Sequence, residues 1–306
     1  MVNQNPIYVE IPIRAEMDDL WKASQNPDRH EQWDLRFSSI TYQPKSHEED
    51  PQEFTYKTNV GLGLSVAGWG RSKGTHDGKD GSRTSSLHFG TDQKISIITE
   101  GRGYWKYIPK SDKEMTFLTQ YDYQTRFGTP GTWIDKLFFR PMIGWATALS
   151  FDVLKRWLEK GVEPKTQHMQ FFAYWVLSFF FSFVWIYHGL IPKVLYRHPE
   201  EIALAESLLP FSVSAGSVVV CMGIAEILFG LTWWFIKRRR WLYYLQVFAF
   251  PVLTVSAIVA DPSTLTHPFS PLTFNSGLFL LSVLGLAVSR DVPTAKNCKR
   301  KRKESA

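Results

Sequence analysis

The stretch FFAYWVLSFFFSFVWIYHGLI, residues 171–191, decides how this chain is read. It holds no Asp, Glu, Lys or Arg. A helix needs about 20 mostly apolar residues to cross a bilayer, and this run supplies them. Three more follow: Phe211 to about Ile236 with one acid inside, Trp241 to Ala260 interrupted by Pro251, and about Leu272 to Ser289, whose dense core is shorter. Pro251 does not disqualify the third run, because neighbouring helices re-satisfy a freed carbonyl inside a bundle. Repeated runs of this length argue against a soluble protein with unusually apolar core helices.

Working outward, the basic residues fall on alternate sides of these runs. Lys155, Arg156, Lys160 and Lys165 precede the first. Lys237-Arg238-Arg239-Arg240 separates the second from the third. Arg290, Lys296 and Lys299-Arg300-Lys301-Arg302-Lys303 follow the fourth. The other two loops are poorer in base: one sets Lys193 and Arg197 against Glu200, Glu201 and Glu206, and the other, DPSTLTHPFSP at 261–271, has none. The positive-inside rule then places both termini in the cytoplasm. Trp175, Tyr187, Trp233, Trp234, Trp241, Tyr243 and Tyr244 lie near span ends, as an aromatic belt would.

Charge divides the chain in the same place. Residues 1–168 carry 22 basic and 22 acidic side chains, whereas 169–306 carry 13 and 7, so the net charge of +6 comes from the second half. The neutral first half lacks the positive excess that neutralising phosphates requires, which argues against nucleic-acid binding. The basic tail, read alone, resembles a nuclear or nucleic-acid signal. Directly after a span it reads as an orientation and lipid-headgroup element. Cys221 and Cys298 are the only cysteines, so the first half has neither a disulfide framework nor a cysteine metal site. The N-terminus lacks the basic region and apolar core of a signal peptide.

In the first half, Ile7, Val9, Ile11 and Ile13 alternate as a strand. A helix follows over about 15–24, and Pro27-Asp28 opens a second that ends near Trp33. Strands are expected around 36–44, 52–59, 62–75, 83–91, 94–108 and 114–127, rich in β-branched and aromatic residues. His76-Asp77-Gly78, Lys79-Asp80-Gly81 and Ser111-Asp112-Lys113 read as turns. The last element, about Trp133 to Lys160, has helical spacing, with Pro141 expected to offset or kink it. Gly61-Leu62-Gly63 and Gly68-Trp69-Gly70 match no phosphate-binding loop and read as strand glycines at bends or bulges.

One strand, two small helices, a run of antiparallel strands and a long final helix is the order of a helix-grip fold. The segment IPIRAEMDDLWKASQNPDRHEQWDLRF, with its Trp33-Asp34 pair, resembles the opening of the START-like superfamily, also called SRPBCC or polyketide cyclase-like. That resemblance covers about residues 5–160. It implies a curved sheet wrapped on the long helix around an apolar cavity. WIYHGLIPKVLYRHPEEIALAE at 185–206 and GIAEILFGL at 223–231 resemble DoxX-like four-helix membrane proteins of bacteria. The expected organisation is an α+β helix-grip domain over 1–165, an all-α four-helix transmembrane bundle over 166–290 and a basic cytoplasmic tail over 291–306. The resemblance implies a bacterial plasma membrane. Relatives of DoxX are linked to quinone-dependent sulfur oxidation and redox-stress complexes, and fold-level analogy assigns no chemistry.

Glu226 is the sharpest single signal. A charge mid-span costs at least about 2–3 kcal/mol on insertion scales. Gly223, Glu226 and Gly230 share a helix face that Ser212 and Gly216 extend, and small residues let helices approach closely. Glu226 is therefore expected inside the bundle, either as a proton- or ligand-handling acid or as a structural hydrogen-bonding group. His188 and Lys193 are the other candidates there. Counting about 1.5 Å per residue from the span ends separates His188 from Glu226 by roughly 15–20 Å, which argues against contact. His188 is the only histidine within a span, so a bis-histidine haem lacks its second ligand. Trp33, Trp69, Phe89, Trp105 and Phe117 are candidates for the cavity wall, each equally readable as core. Arg36, Glu100 and Arg102 are candidates for polarising a ligand, their faces being undecided by alternation alone.

The expected function is a membrane-tethered binding module for a lipid, isoprenoid or quinone-like molecule, with no resident cofactor and no metal. Two alternatives stand beside it. One is an enzyme, cyclase-like in the soluble pocket or quinone-linked at Glu226. The other is an assembly subunit whose bundle docks a membrane-protein partner or a second copy of the chain.

Overall fold

A computed structural model describes all residues except 1–4, 48, 62, 209–213, 237–238, 269 and 303–306. Leu62, Phe211, Ser212, Lys237, Arg238 and Lys303 thus lie outside the described residues. The chain divides into two compact units, Met1–His168 with Pro293–Ala306, and Met169–Val292.

The first unit is built on a seven-stranded antiparallel sheet. β1 (Ile7–Ile13) is followed by α1 (Met17–Gln25), α2 (Pro27–Trp33), β2 (Ser39–Tyr42), β3 (Glu53–Gly61), β4 (Leu64–Asp77), β5 (Arg83–Gly90), β6 (Ile98–Ser111) and β7 (Glu114–Thr125). The strand order is β1-β7-β6-β5-β4-β3-β2. Ile7, Val9, Ile11 and Ile13 are all buried, and Ile11 pairs with Phe117 across β7. Asn26 caps α2 by accepting the Arg29 amide at 3.0 Å, which satisfies a helix N–H that would otherwise lack a partner.

After β7 come α3 (Gly128–Ile134), a π-helical turn over Asp135–Phe139, and α4 (Arg140–Lys160). The inner face of the sheet carries α4: the Phe117 and Phe151 rings stack at 4.5 Å, and the Tyr121 hydroxyl meets Thr147 Oγ1 at 2.9 Å. The expected offset at Pro141 is present as the π-helical turn over Asp135–Phe139 just before it. The proline lies within one continuous helical stretch, 128–160, where its missing N–H leaves a carbonyl of that turn without its helical donor.

Two of the sequence's glycine readings resolve differently. Gly61 (φ +92°) and Gly63 (φ +76°) occupy the left-handed region at the β3–β4 hairpin, beside a register shift at Asn59. Gly68 and Gly70 instead make room for rings: a Cβ on Gly70 would strike Phe54, and one on Gly68 would strike Tyr56.

The expected separate tail over 291–306 is, in its described part, integral to the first unit. Glu10 and Lys299 exchange two backbone hydrogen bonds at 2.9 Å. The buried Asp152 carboxylate accepts from the Thr294 amide at 2.8 Å and from Asn297 Nδ2 at 2.7 Å. A buried carboxylate needs such donors, and within α4 it has no backbone N–H to spare.

The second unit is helical. α5 (Pro164–His188) runs into it and continues as a π-helical turn over Gly189–Leu195 that contains Pro192. α6 (Pro199–Leu208), α7 (Ala215–Phe235), α8 (Arg240–Ala260) and α9 (Pro271–Val288) follow. Among the described residues five helical stretches are long and apolar enough to cross a membrane: 128–160, 164–195, 215–235, 240–260 and 271–288. The first of these includes α4, half of whose apolar window is buried inside the protein. Within the second unit, Phe181, Trp233, Leu242, Tyr243, Phe250 and Leu278 form a buried core. Trp233 and Tyr243 thus leave the expected aromatic belt, whereas Tyr187, Trp234, Trp241 and Tyr244 are exposed as a belt requires.

Candidate functional site

The first unit gathers its buried polar chemistry at the end of α2. Asp34 is buried and receives Arg36 Nε at 2.9 Å and Nη2 at 2.6 Å. His30, one helical turn earlier, lies 3.0 Å from Oδ2 of the same carboxylate, the oxygen that also accepts Arg36 Nη2. Burial alone would raise the Asp34 carboxyl; the charge and hydrogen bonds of Arg36, with the His30 hydrogen bond, outweigh it and hold Asp34 below the usual carboxylate range. Burial also depresses the His30 imidazole, outweighing Asp34. The Arg36 guanidinium lies 5.5 Å from the ring centres of both Phe37 and Tyr121. The His30 ring is enclosed by Trp33 at 5.0 Å, Phe37 at 5.2 Å and Trp105 at 4.8 Å.

Strand register decides which sequence candidates join this cluster. Trp33, Phe89, Trp105 and Phe117 take the inner face: Trp33 and Phe117 are fully buried, and the Phe89 ring lies over Gly101 and 6.4 Å from Tyr121. Trp69, Glu100 and Arg102 take the outer face, because successive strand residues alternate. There Glu100 bonds His88 at 2.5 Å, Trp69 stands edge-on to His88, and the Arg102 side chain is 79% exposed. An open groove of 480 Å³ runs over this outer face, with Lys73, His88, Arg102, Tyr104, Gln120 and Asp122 along it and the backbone of 87, 103 and 121 as part of its floor. Of the three charged candidates whose face alternation left undecided, Glu100 and Arg102 lie outside, 3.8 Å apart, and Arg36 lies beside the buried Asp34. His30 and Asp34 were missed as site residues, although their i, i+4 spacing in DRHEQWD was visible.

One end of the sheet is ringed by apolar side chains. Antiparallel order brings the β3–β4 hairpin, the β5–β6 loop and the β7–α3 junction to the same end. Val60, Leu64, Ile95, Phe127, Trp133, Leu137 and Phe138 are all exposed there, Phe138 by 71%. Beneath them Asp135 is fully buried, accepting from Tyr123 at 2.6 Å and Arg140 at 3.0 Å. The buried acid fixes the π-helical turn so that its neighbours Ile134, Leu137 and Phe138 face outward.

In the second unit, Lys193 and Glu226 meet at 3.1 Å, and Lys193 also lies 3.5 Å from Glu201. The partner of Glu226 is thus Lys193, on the π-helical turn that extends α5 past Ile191. The depth argument misplaced the elements: α7 packs on this turn so closely that a Cβ on Gly189 would lie 3.0 Å from Glu226 Cβ, and one on Gly223 would lie 2.6 Å from the Gly189 carbonyl. π-helical turns recur at functional sites. His188 does not join the pair; its ring packs 5.4 Å from Phe274. Among the described residues no group of three or more His, Cys, Asp or Glu is arranged to hold a metal ion.

Comparison with known proteins gives these arrangements a context. A model of the DoxX-like family matches residues 182–283. A protein of Bacillus subtilis strain 168 described as uncharacterized membrane protein YndG is 37% identical over 303 residues, spanning 99% of this chain and 100% of that one. The first half has START-like and polyketide cyclase-like structural neighbours. A STAR-related lipid transfer protein of Xanthomonas axonopodis is 15% identical, with a TM-score of 0.38 over 49% of this chain and 84% of that one. The Zhui aromatase/cyclase of a Streptomyces species is 9% identical, with a TM-score of 0.38 over 52% and 98%. A START superfamily protein of Mycobacterium smegmatis is 10% identical, with a TM-score of 0.35 over 46% and 91%. The helix-grip description of the first unit stands on its own strand order and on the α4 packing.

Proposed function

The chain belongs to the family of the Bacillus subtilis membrane protein YndG, and from that premise we propose that it is a membrane-tethered binding module for a hydrophobic small molecule. The observation that carries this reading is the ring of exposed apolar side chains around one end of the grip. Monomeric soluble surfaces rarely expose contiguous apolar patches of this kind, and where they do a ligand groove or membrane contact is the usual cause. Behind that ring stands an aromatic inner wall of Phe37, Phe89 and Trp105 with the Arg36 guanidinium among it. An apolar molecule with an oxygen-bearing end, such as a lipid, isoprenoid or quinone-like compound, suits such a wall: rings for its body, one fixed cation for its polar end.

In this reading four of the five apolar helical stretches cross the membrane, α4 being held by the sheet. An even number of crossings is supported by the first unit, which contains residues from before and after the apolar unit. The basic segments put both ends in the cytoplasm of a bacterial plasma membrane. Tethering would hold the grip at high effective concentration near a ligand that partitions into the bilayer.

The test is native mass spectrometry with lipid analysis on the full chain in mild detergent, wild type beside a Leu137→Ser, Phe138→Ser double variant. An apolar molecule retained by the wild type and lost from the variant is the expected result. A wild type that carries no such molecule would overturn the reading. Retention that is indifferent to the double variant but lost in Glu226→Gln would move the site to the second unit.

A further inference from the structure

The four-residue basic run at 237–240 accounts for membrane orientation as a block, and the tertiary structure sets one member apart. Arg239 is 7% exposed, buried at the turn between α7 and α8. Its guanidinium lies 4.2 Å from the Trp175 ring centre and 5.4 Å from that of Tyr174. Among the described residues its Nη1 has no hydrogen-bond partner and no carboxylate forms an ion pair with it, the Tyr174 hydroxyl being the side-chain group it does bond. Orientation requires only a charge near the interface. It does not require burying one, and a buried charge without a paired acceptor is costly. Cation–π contact offsets only part of that, about 2 kcal/mol when desolvated.

Two more buried donors sit beside it. Trp233 is 1% exposed and Tyr243 is fully buried, their rings are 4.8 Å apart, and among the described residues Trp233 Nε1 has no partner while the Tyr243 hydroxyl has only the Ser178 hydroxyl near it. Trp233 and Arg239 line one narrow cleft together with Trp175, Ser178, Phe179 and Trp234. A guanidinium, an indole N–H and a phenol O–H can all donate, while an indole and a guanidinium cannot accept. Two groups that only donate, beside hydroxyls that can turn to donate as well, are complementary to an oxyanion. The guanidinium fork matches the paired oxygens of phosphate in particular.

We propose that Arg239, Trp233 and Tyr243 form a binding site for a phosphate group at the α7–α8 turn. Basic pockets between membrane helices on the cytoplasmic side are where anionic lipid headgroups dock. The outer walls of the cleft point to the same source. Phe179 and Trp234 are 46% and 55% exposed on the apolar surface of the unit, so a lipid reaches the cleft without leaving the bilayer. The cleft has no room for a water molecule, so binding requires those two exposed rings to part. Trp234 is held there by a 2.8 Å hydrogen bond to Ser182 Oγ and by its ring contact with Phe179 at 5.0 Å.

The test titrates the detergent-solubilised full chain with phosphatidylglycerol, with phosphatidylcholine and with inorganic phosphate, reading bound mass and tryptophan fluorescence. Arg239→Gln is compared with Arg240→Gln, which removes the same charge one residue away. Loss of a hydrogen bond to a charged group weakens binding by about 10–100-fold. Arg239→Gln should show that loss for phosphatidylglycerol, and Arg240→Gln should stay within about twofold. Trp233→Phe keeps the ring, removes one donor and should weaken binding less, and it serves if Arg239→Gln fails to fold. Competition by millimolar inorganic phosphate assigns the site to the free ion, and its absence assigns it to the headgroup; either supports a phosphate site. Equal loss in Arg239→Gln and Arg240→Gln, or no loss in Trp233→Phe and Arg239→Gln, overturns the proposal.

Discussion

Lys193 Nζ lies 3.1 Å from the Glu226 carboxylate, across 33 residues of sequence and between two helices. The pair is 10% and 15% exposed at its side chains, and it forms because α5 does not stop where its apolar run stops. The π-helical turn at Gly189–Leu195 carries Lys193 onto α7, and facing glycines bring the two backbones together.

Breaking one half of this pair should be worse than removing both. Losing one partner of a buried ion pair costs about 3–5 kcal/mol, because the other charge is left uncompensated. Lys193→Met and Glu226→Gln are each expected to lower the melting temperature in detergent, and the double variant to recover part of the loss. Additive losses in the double variant would show that the two groups do not depend on each other.

Close approach of the helices makes a second, steric prediction. A Cβ at Gly223 would stand 2.6 Å from the Gly189 carbonyl, and at Gly230 2.7 Å from Ile186 Cγ1. A Cβ at Gly216 or Gly277 meets nothing within 4 Å. Gly223→Ala and Gly230→Ala should therefore destabilise, whereas Gly216→Ala and Gly277→Ala should be neutral or gain up to about 1 kcal/mol from helix propensity. Melting curves of the four variants check this, and a uniform response across them would contradict the packing described.

The His30–Asp34–Arg36 cluster sets an acid dependence. Burial lowers the folded pKa of His30, so the unfolded chain, titrating near about 6.5, binds its proton first. Stability rises with pH wherever the unfolded state holds more protons. The contribution of His30 is therefore complete above that value and is lost as pH falls through it. Asp34 is also depressed; its contribution is complete above about pH 4 and is lost below. Melting temperatures of the first unit within the full chain should drop between pH 7.5 and 5.5, and His30→Gln should flatten that step. A wild type with the same melting temperature at both values would refute the assignment.

Docking of the C-terminal segment can be read at Cys298. Its thiol donates to the Ala148 carbonyl at 3.2 Å, and burial pushes its pKa up, so a thiolate-seeking reagent reacts slowly. Asp152→Asn replaces one acceptor oxygen with a donor facing a donor. With Cys221 replaced by Ser, Asp152→Asn should speed alkylation of Cys298 about tenfold, the effect of roughly 1.4 kcal/mol on an opening equilibrium. An unchanged rate would mean that Asp152 does not hold the segment down.

The sequence by itself determined what depends on neighbours along the chain. Apolar length marked the membrane helices, Ile7–Ile13 followed from a two-residue strand period, and the approximate positions of β3 to β7 followed from β-branched and aromatic enrichment between turn residues. Helical spacing put Gly223, Glu226 and Gly230 on one face, which is the face α7 buries against α5. Tertiary structure decided what depends on register or on long-range packing. Glu100 and Arg102 went to the outer face through β5–β6 pairing, and Asp34 and Arg36 took the interior. Lys193 found Glu226 only through a π-helical turn, which shifts each following side chain around the axis and leaves no mark in hydropathy. Arg239 is indistinguishable from Arg240 in the sequence, yet it is buried and Arg240 is only partly covered. A turn of the backbone by one residue separates a charge that orients the chain from one that needs a partner.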